Sequence, residues 1–234
     1  MAEIRGLLFD KDGTLFDFHS TWGGWTARVI ERLAGPSAET RRAVAEVLGF
    51  DLEARRFDEG SVVIGHTVAE IAALLAGFAP DRSVEALVSD LNALAVKNDM
   101  VPAVPLVPLF RRLREMGLKL GLATNDAEEP ARVHLENSGL TSYFDFVAGF
   151  DSGWGGKPAT GQMRAFLDRT GLEAHETAMV GDSLHDLHAG RAAGMKTVAV
   201  LTGIAGRDEL APHADIVLPT IGDLPGWIGS VTAA

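Results

Sequence analysis

The residues best suited to chemistry are two pairs of acids, each placed after a short apolar run. Asp10 and Asp12 lie two positions apart, so in an extended chain both carboxylates face the same side. Gly13 gives the backbone the freedom for a tight turn around an oxyanion. Asp182 and Asp186 follow a later apolar run. Carboxylate clusters of this kind favour a hard cation such as Mg²⁺, which binds through one or two carboxylates together with substrate phosphate.

Two further segments supply groups that could hold a phosphate. Thr124 and Asn125 come just before a helical pattern, where a hydroxyl and backbone N–H groups can donate to an anion. Lys157 follows two glycines and would add a positive charge. Each feature alone is common, as a helix cap or a solvated lysine. Together with the acids, they form a set of groups typical of phosphoryl transfer.

The elements between these segments predict how they meet. Apolar runs typical of strands occur at 4–9, 118–123, 146–149, 177–180, 197–201 and, more weakly, 216–218. Helical patterns of crossover length lie between them, at 106–116, 128–138, 162–170 and 184–193. Such alternation predicts an α/β fold with a Rossmann-like parallel sheet. The candidate residues follow strands, and ligands of such sheets bind at the carboxyl ends of the strands.

One long stretch interrupts the alternation. Between residues 16 and 99 no comparable strand is predicted, and helical patterns lie at 26–34, 38–48, 68–75 and 84–96. We therefore expect a helical domain of residues 16–99 inserted into a core formed by residues 1–15 and 100–234. Arg55 and Arg56 lie near the middle of the insertion. They are either a solvated pair or a site that binds a substrate carboxylate through paired hydrogen bonds.

Composition excludes several classes of function. The 234 residues include no cysteine, which rules out disulfides, thiolate nucleophiles and iron–sulfur clusters. A net charge of -11 opposes binding to nucleic acid and to anionic membranes, which both rely on Lys and Arg. No run approaches the roughly 20 apolar residues that span a bilayer, and the start of the sequence does not resemble a signal peptide. We expect a cytoplasmic protein with a small-molecule partner, and the sequence does not indicate its oligomeric state.

The motifs, taken in order, resemble those of the haloacid dehalogenase superfamily. They are FDKDGTL, the Thr124 segment, the Lys157 segment and GDSLHD. Their order and spacing are similar to the phosphatase branch, and to phosphoglycolate phosphatases in particular, in which a helical C1-type cap is inserted between the first two motifs. The resemblance covers essentially the whole chain. Lys11 departs from the pattern, since an apolar residue is more usual between the two acids.

The resemblance implies roles for the acids. Asp10 corresponds to the nucleophile that forms an aspartyl-phosphate, and Asp12 to the general acid and base. Mg²⁺ would be held by the side chains of Asp10 and Asp182 and the backbone carbonyl of Asp12. Asp186 would orient the water around the metal, or Lys157, rather than bind the metal directly.

The resemblance also implies how the phosphate is bound. Lys157 would place a fixed positive charge beside the nucleophile, and Thr124 would orient the phosphoryl group together with backbone amides near Gly13 and Asn125. The implied activity is hydrolysis of a phosphomonoester, with 2-phosphoglycolate as the leading candidate.

Two alternatives remain open. A phosphosugar mutase shares all four motifs, but it retains a cap lysine and a histidine soon after the first motif. Here Trp22 stands near that place, with His19 close by, and no lysine lies between Asp12 and Lys97. The second alternative is a non-catalytic binding or regulatory protein, which the presence of all the motif residues disfavours. Asp12 argues against a dehalogenase, which does not need this second aspartate.

Overall fold

The computed structural model describes residues 3–58 and 60–232. In chain order its strands and helices are β1 (Gly6–Phe9), α1 (Phe18–Ala34), α2 (Ala38–Leu48), β2 (Phe50–Asp51), β3 (Arg56–Phe57), α3 (Val62–Gly65), α4 (Val68–Leu75), α5 (Val84–Val96), α6 (Leu106–Glu115), β4 (Lys119–Ala123), α7 (Glu128–Asn137), β5 (Phe146–Ala148), α8 (Gly161–Thr170), β6 (Thr177–Gly181), α9 (Leu184–Ala192), β7 (Lys196–Val200), α10 (Arg207–Leu210), β8 (Ile216–Leu218) and α11 (Leu224–Thr232).

Six strands form a parallel sheet in the order β5-β4-β1-β6-β7-β8. Strand β1 lies near its centre, with Phe9 level with Leu122 on one side and Val180 on the other. Leu7 and Phe9 belong to one hydrophobic cluster, whereas Leu8 belongs to another on the opposite face. Because both faces are covered, this strand is apolar throughout. The predicted α/β class and parallel sheet are confirmed.

Elements α1 to α5, together with the hairpin of β2 and β3, form what we call the helical insertion, residues 18–96. It has a hydrophobic cluster of its own, which includes Trp25, Ile30, Leu48 and Leu75. Three of its four longer helices begin at the predicted residues. Side chains of Ser37, Thr67 and Ser83 cap them by accepting a hydrogen bond from a backbone N–H of the first turn.

The first helix of the insertion differs from its prediction. It begins at Phe18 rather than at Thr26, and the side chain of Asp17 caps it by accepting from Ser20 N at 2.8 Å. Gly23 and Gly24 have low helix propensity and obscured this start. The hairpin of β2 and β3 was not predicted, because its strands have only two residues each. Among the described residues, no helix combines the length and the apolar character needed to cross a membrane.

Candidate active site

Three buried acids meet at the carboxyl ends of two neighbouring strands. Asp10 follows β1, whereas Asp182 and Asp186 follow β6. Since β1 and β6 pair in parallel, their ends are adjacent, and Asp10 N donates to Val180 O at 2.9 Å. One carboxylate oxygen from each acid lies within 4.8 Å of the others. All three residues are less than a tenth exposed.

Lys157 is the cation that contacts these acids. It lies in the loop between β5 and α8, and its Nζ donates to Asp10 Oδ1 at 2.5 Å and to Asp186 Oδ1 at 2.6 Å. Burial lowers the pKa of Lys157, but its two acidic neighbours outweigh this effect, so the pKa is raised overall and the side chain is charged. The contact with Asp186 is one of the two roles that the sequence suggested for that acid.

One lysine does not balance three buried carboxylates. Burial raises the pKa of Asp10 to about 7, with Asp186 adding to the rise and Lys157 opposing it. Burial also raises the pKa of Asp182 well above its ordinary value, and Asp10 adds to that effect. These shifts show that Lys157 alone does not stabilise all three charged carboxylates, and such a cluster of hard oxygen donors fits a divalent cation of the Mg²⁺ type.

The turn after the first strand is built closely against the second pair of acids. Gly13 has a φ of 78°, and a Cβ atom there would lie 2.2 Å from Asp182 Oδ2. Glycine is therefore required both for the backbone conformation and for space. Thr14 Oγ1 donates to Asp182 Oδ1 at 3.3 Å, and Thr202 Oγ1 donates to the Gly13 carbonyl at 2.6 Å.

The two residues that follow β4, Thr124 and Asn125, have different roles. Thr124 is buried beside the acids, and its hydroxyl oxygen accepts from Asp126 N at 3.0 Å, which leaves the hydroxyl hydrogen to be donated. The Asn125 side chain is already engaged. Its Nδ2 donates to Gly65 O at 2.8 Å and to Lys157 O at 3.0 Å, and its Oδ1 accepts from Lys157 N at 2.7 Å. It ties the lysine loop to the helical insertion.

A second polar network surrounds Asp12. Lys11 is fully buried, and its Nζ lies 2.8 Å from the Asp12 carboxylate, 3.3 Å from Asp126 Oδ2 and 3.3 Å from His134 Nδ1. From the helical insertion, Trp22 Nε1 donates to Asp12 Oδ1 at 2.6 Å. The carboxylate of Asp12 is therefore held by one group from its own loop and one from the insertion.

The histidine of this network is neutral at pH 7. Burial and the charge of Lys11 lower the pKa of His134 to about 4. An ammonium can only donate, so Nδ1 of His134 accepts from Lys11, and Nε2 carries the hydrogen and donates to Ala95 O at 2.8 Å. Sequence reasoning missed this network. The available signal was the alternation of β1, which places Lys11 on the same side as the buried Leu7 and Phe9.

A cavity separates the acids from the helical insertion. Its floor includes Asp10, Asp12, Thr124, Asn125 and Lys157, and its wall comes from α1, α3, α4 and α5.

The two arginines singled out by the sequence do not reach this cavity. Arg55 and Arg56 lie in the hairpin of the insertion, largely exposed, and neither lines the cavity wall. Since neither side chain lines the cavity, the arrangement lends no support to the expectation that they bind a substrate carboxylate, which stays a prediction.

The sequence matches the family described as haloacid dehalogenase-like hydrolase over residues 4–194. It is 33% identical to a phosphoglycolate phosphatase of Rhodospirillum rubrum over 239 residues, an alignment that covers 96% of this chain and 91% of the relative. It is also 33% identical over 230 residues to the pyrophosphatase PpaX of Bacillus pumilus, covering 98% of each chain.

A solved structure shares the whole architecture. The crystal structure of a HAD phosphatase from Thermococcus onnurineus is similar with a TM-score of 0.66 and 25% identity, covering 97% of this chain and 98% of the other. The alignments cover nearly the whole of each protein, and the names of the two sequence relatives point to different phosphate compounds.

Proposed function

Because this chain belongs to the haloacid dehalogenase-like hydrolase family and is a phosphatase, we propose that it hydrolyses phosphomonoesters through a phosphoryl group carried on Asp10. The observation that supports this most directly is the position of Asp10. It lies at the floor of the cavity, 2.5 Å from a buried lysine and beside two further acids. A carboxylate held in this way by a fixed charge is oriented for attack on phosphorus.

The reaction has two steps that use the same pair of aspartates. In the first, an oxygen of Asp10 bonds to phosphorus while the bond to the ester oxygen breaks, and Asp12 gives a proton to the leaving alcohol. In the second, Asp12 takes a proton from water as the water oxygen bonds to phosphorus. The bond to Asp10 then breaks, which releases inorganic phosphate and restores both side chains. General acid and base catalysis of this kind contributes about 10²–10⁴-fold.

Other groups hold the phosphoryl oxygens during both steps. Lys157 presents its charge beside Asp10, and Thr124 has a hydroxyl hydrogen to donate. The Asn125 side chain is already engaged in hydrogen bonds. The backbone N–H groups of Asn125 and Gly13 are therefore the groups proposed to donate to the phosphate. The charge of Lys157 is worth more here than in water, because the site is buried.

Mg²⁺ is the cofactor we propose for this site. The side chains of Asp10 and Asp182 and the carbonyl of Asp12 would hold it. The clustering of the buried acids supports this assignment, as do the raised pKa values of Asp10 and Asp182, because a bound cation would stabilise their charged forms. When bound, it neutralises the charge that would otherwise keep a carboxylate and a phosphate apart. Asp186 is already paired with Lys157 and with Ser183 N, which favours a positioning role for it.

The helical insertion is proposed to act as the cap of the site. It supplies the wall of the cavity and contacts the floor through Trp22 and Asp12, and through Gly65 and Asn125. We place the boundaries of the cap at residues 16–99, with the core formed by the rest of the chain.

The substrate expected from the family resemblance is 2-phosphoglycolate. It is supported by the name of the Rhodospirillum relative. The cavity wall adds no support, because no lysine or arginine of the insertion is among the described residues that line the cavity.

The mutase alternative also lacks support from the site. His19 stacks on Phe57, with ring centroids 6.0 Å apart, and does not line the cavity. Within the described residues, Lys157 is the one lysine that lines it.

The test is phosphate release from p-nitrophenyl phosphate in the presence of Mg²⁺. We expect turnover by the wild type and a loss of more than 100-fold in kcat for Asp10→Asn, which removes the nucleophile at nearly constant volume. Arg111→Gln, a change on the exposed side of α6, is the matched control and should behave as wild type. Equal rates for wild type and Asp10→Asn would overturn the proposal.

A further inference from the structure

We infer that the substrate is a phosphomonoester whose alcohol part is uncharged and largely apolar, with no second anionic group. This inference rests on the proposed function, because it concerns the group that leaves when phosphate is transferred to Asp10. It comes from the wall of the cavity that faces the acids.

That wall is hydrophobic. It is formed mainly by Trp22 and Trp25 of α1, Val63 and Ile64 of α3, Val68 of α4 and Leu91 of α5. An alcohol bound between the phosphate site and this wall would exchange water for apolar side chains. Apolar groups gain free energy from that exchange, whereas a carboxylate loses hydration that the wall does not replace.

The two tryptophans are already fixed in place. Trp22 Nε1 is bound to Asp12, and Trp25 Nε1 donates to Leu91 O at 3.3 Å. Their rings meet edge to face, with centroids 5.2 Å apart and planes at 88°. With their polar hydrogens occupied, these side chains offer apolar surface to the substrate, and no ordering of the rings is needed on binding.

The charges around the cavity disfavour a second anion. Among the residues that the structure describes, Lys157 is the one lysine or arginine on the lining, and it is shared between Asp10 and Asp186. Two arginines of α1 are engaged elsewhere. Arg28 donates to Asn98 Oδ1 at 2.8 Å, and Arg32 donates to Asp90 Oδ2 at 2.9 Å. A substrate carboxylate would therefore meet acids, the imidazoles of His66 and His185 and apolar side chains, but no second lysine or arginine among the described lining residues.

The wall also carries two polar side chains, His66, which follows α3, and Asn92. Asn92 lies on α5 and lines the cavity, and its Oδ1 is shielded from solvent without a hydrogen-bond partner among the described residues. Because this oxygen is shielded from solvent, it is not open to a ligand in the cavity, and neither Asn92 nor His66 supplies a permanent positive charge for a second anion.

The experiment compares esters of primary alcohols, so that their leaving groups differ little in reactivity. We expect kcat/KM for benzyl phosphate to exceed that for 2-phosphoglycolate by at least tenfold, and ethyl phosphate to lie below benzyl phosphate. An equal or higher kcat/KM for 2-phosphoglycolate would overturn the inference. The proposed function would still hold in that case if hydrolysis depends on Asp10.

Binding gives the same comparison without turnover. Calorimetry with the Asp10→Asn variant and Mg²⁺ should show tighter binding of benzyl phosphate than of 2-phosphoglycolate. Weaker binding of benzyl phosphate would contradict the inference even if neither ester is turned over. By contrast, the proposed function fails if wild type and Asp10→Asn have equal rates.

Two variants sharpen the test. Asn92→Arg places a cation on the wall and should raise kcat/KM for 2-phosphoglycolate relative to benzyl phosphate by tenfold or more. The control is Arg55→Asn with Arg56→Gln, which removes two charges that do not reach the cavity. This control should leave the ratio between the two esters unchanged, and a selective loss of 2-phosphoglycolate hydrolysis would contradict the inference.

Discussion

Replacing Lys11 by methionine should destabilise the fold severely, although Lys11 is not among the groups proposed to touch phosphate. Its side chain is fully buried between the carboxylates of Asp12 and Asp126. Methionine fills similar space but leaves both acids without a buried cation. Removing one partner of a buried ion pair costs about 3–5 kcal/mol, a large part of the roughly 5–15 kcal/mol that holds a typical protein together.

The assay is urea denaturation followed by tryptophan fluorescence, with Lys119→Met as the matched control. Lys119 Nζ lies 3.7 Å from Asp145 Oδ1, but its side chain is 48% exposed, so its loss should cost at most about 1 kcal/mol. Adding Asp126→Asn to Lys11→Met should recover part of the loss, because it removes one uncompensated carboxylate. A loss below about 1 kcal/mol for Lys11→Met would refute the reasoning.

Three further predictions concern pH, the lysine loop and the metal. The pKa of His134 is lowered to about 4 in the folded protein. As the pH falls from 6.5 towards 4, this histidine takes up a proton in the unfolded chain but not in the folded protein, so the folded protein loses stability over this range. Between pH 7 and pH 5 the wild type should lose about 2 kcal/mol more than His134→Gln in urea denaturation, and equal losses would contradict this. Asn125→Ala should lower kcat/KM about 10-fold to 150-fold in steady-state assays, because the Lys157 loop loses two hydrogen bonds. Wild-type kinetics would show that the loop holds its position without them. Excess EDTA should abolish phosphate release and added Mg²⁺ should restore it, whereas full activity in EDTA, or with Ca²⁺ as the sole metal, would contradict the metal assignment.

Regular patterns made the sheet predictable from the sequence. Each strand is a short apolar run followed by turn residues, and the parallel arrangement follows from the helices between the runs. The same logic brought the candidate residues to one edge of the sheet. The structure places Lys157 within hydrogen-bond distance of both Asp10 and Asp186, although the three residues lie far apart in the sequence.

Contacts between the core and the insertion could not be predicted in the same way. The bond from Trp22 to Asp12 and the bond from Asn125 to Gly65 depend on how two parts of the chain dock, which local patterns do not encode. Arg55 was singled out by its charge and its place in the sequence, but it lies exposed in the turn of a short hairpin and does not line the cavity. Charge in a sequence indicates what a residue can bind, whereas only the fold determines what it reaches.

The central claim is that Asp10 carries the phosphoryl group, and one measurement tests it directly. Asp12→Asn slows the step in which water is deprotonated, while p-nitrophenyl phosphate has a leaving group that needs little proton donation. Acid quenching of this variant during turnover, followed by peptide mass spectrometry, should show the mass of one phosphoryl group on the peptide that contains Asp10. The Asp10→Asn/Asp12→Asn double variant should show none. A phosphoryl group on another residue, or turnover by the Asp12→Asn variant without any adduct, would contradict the account.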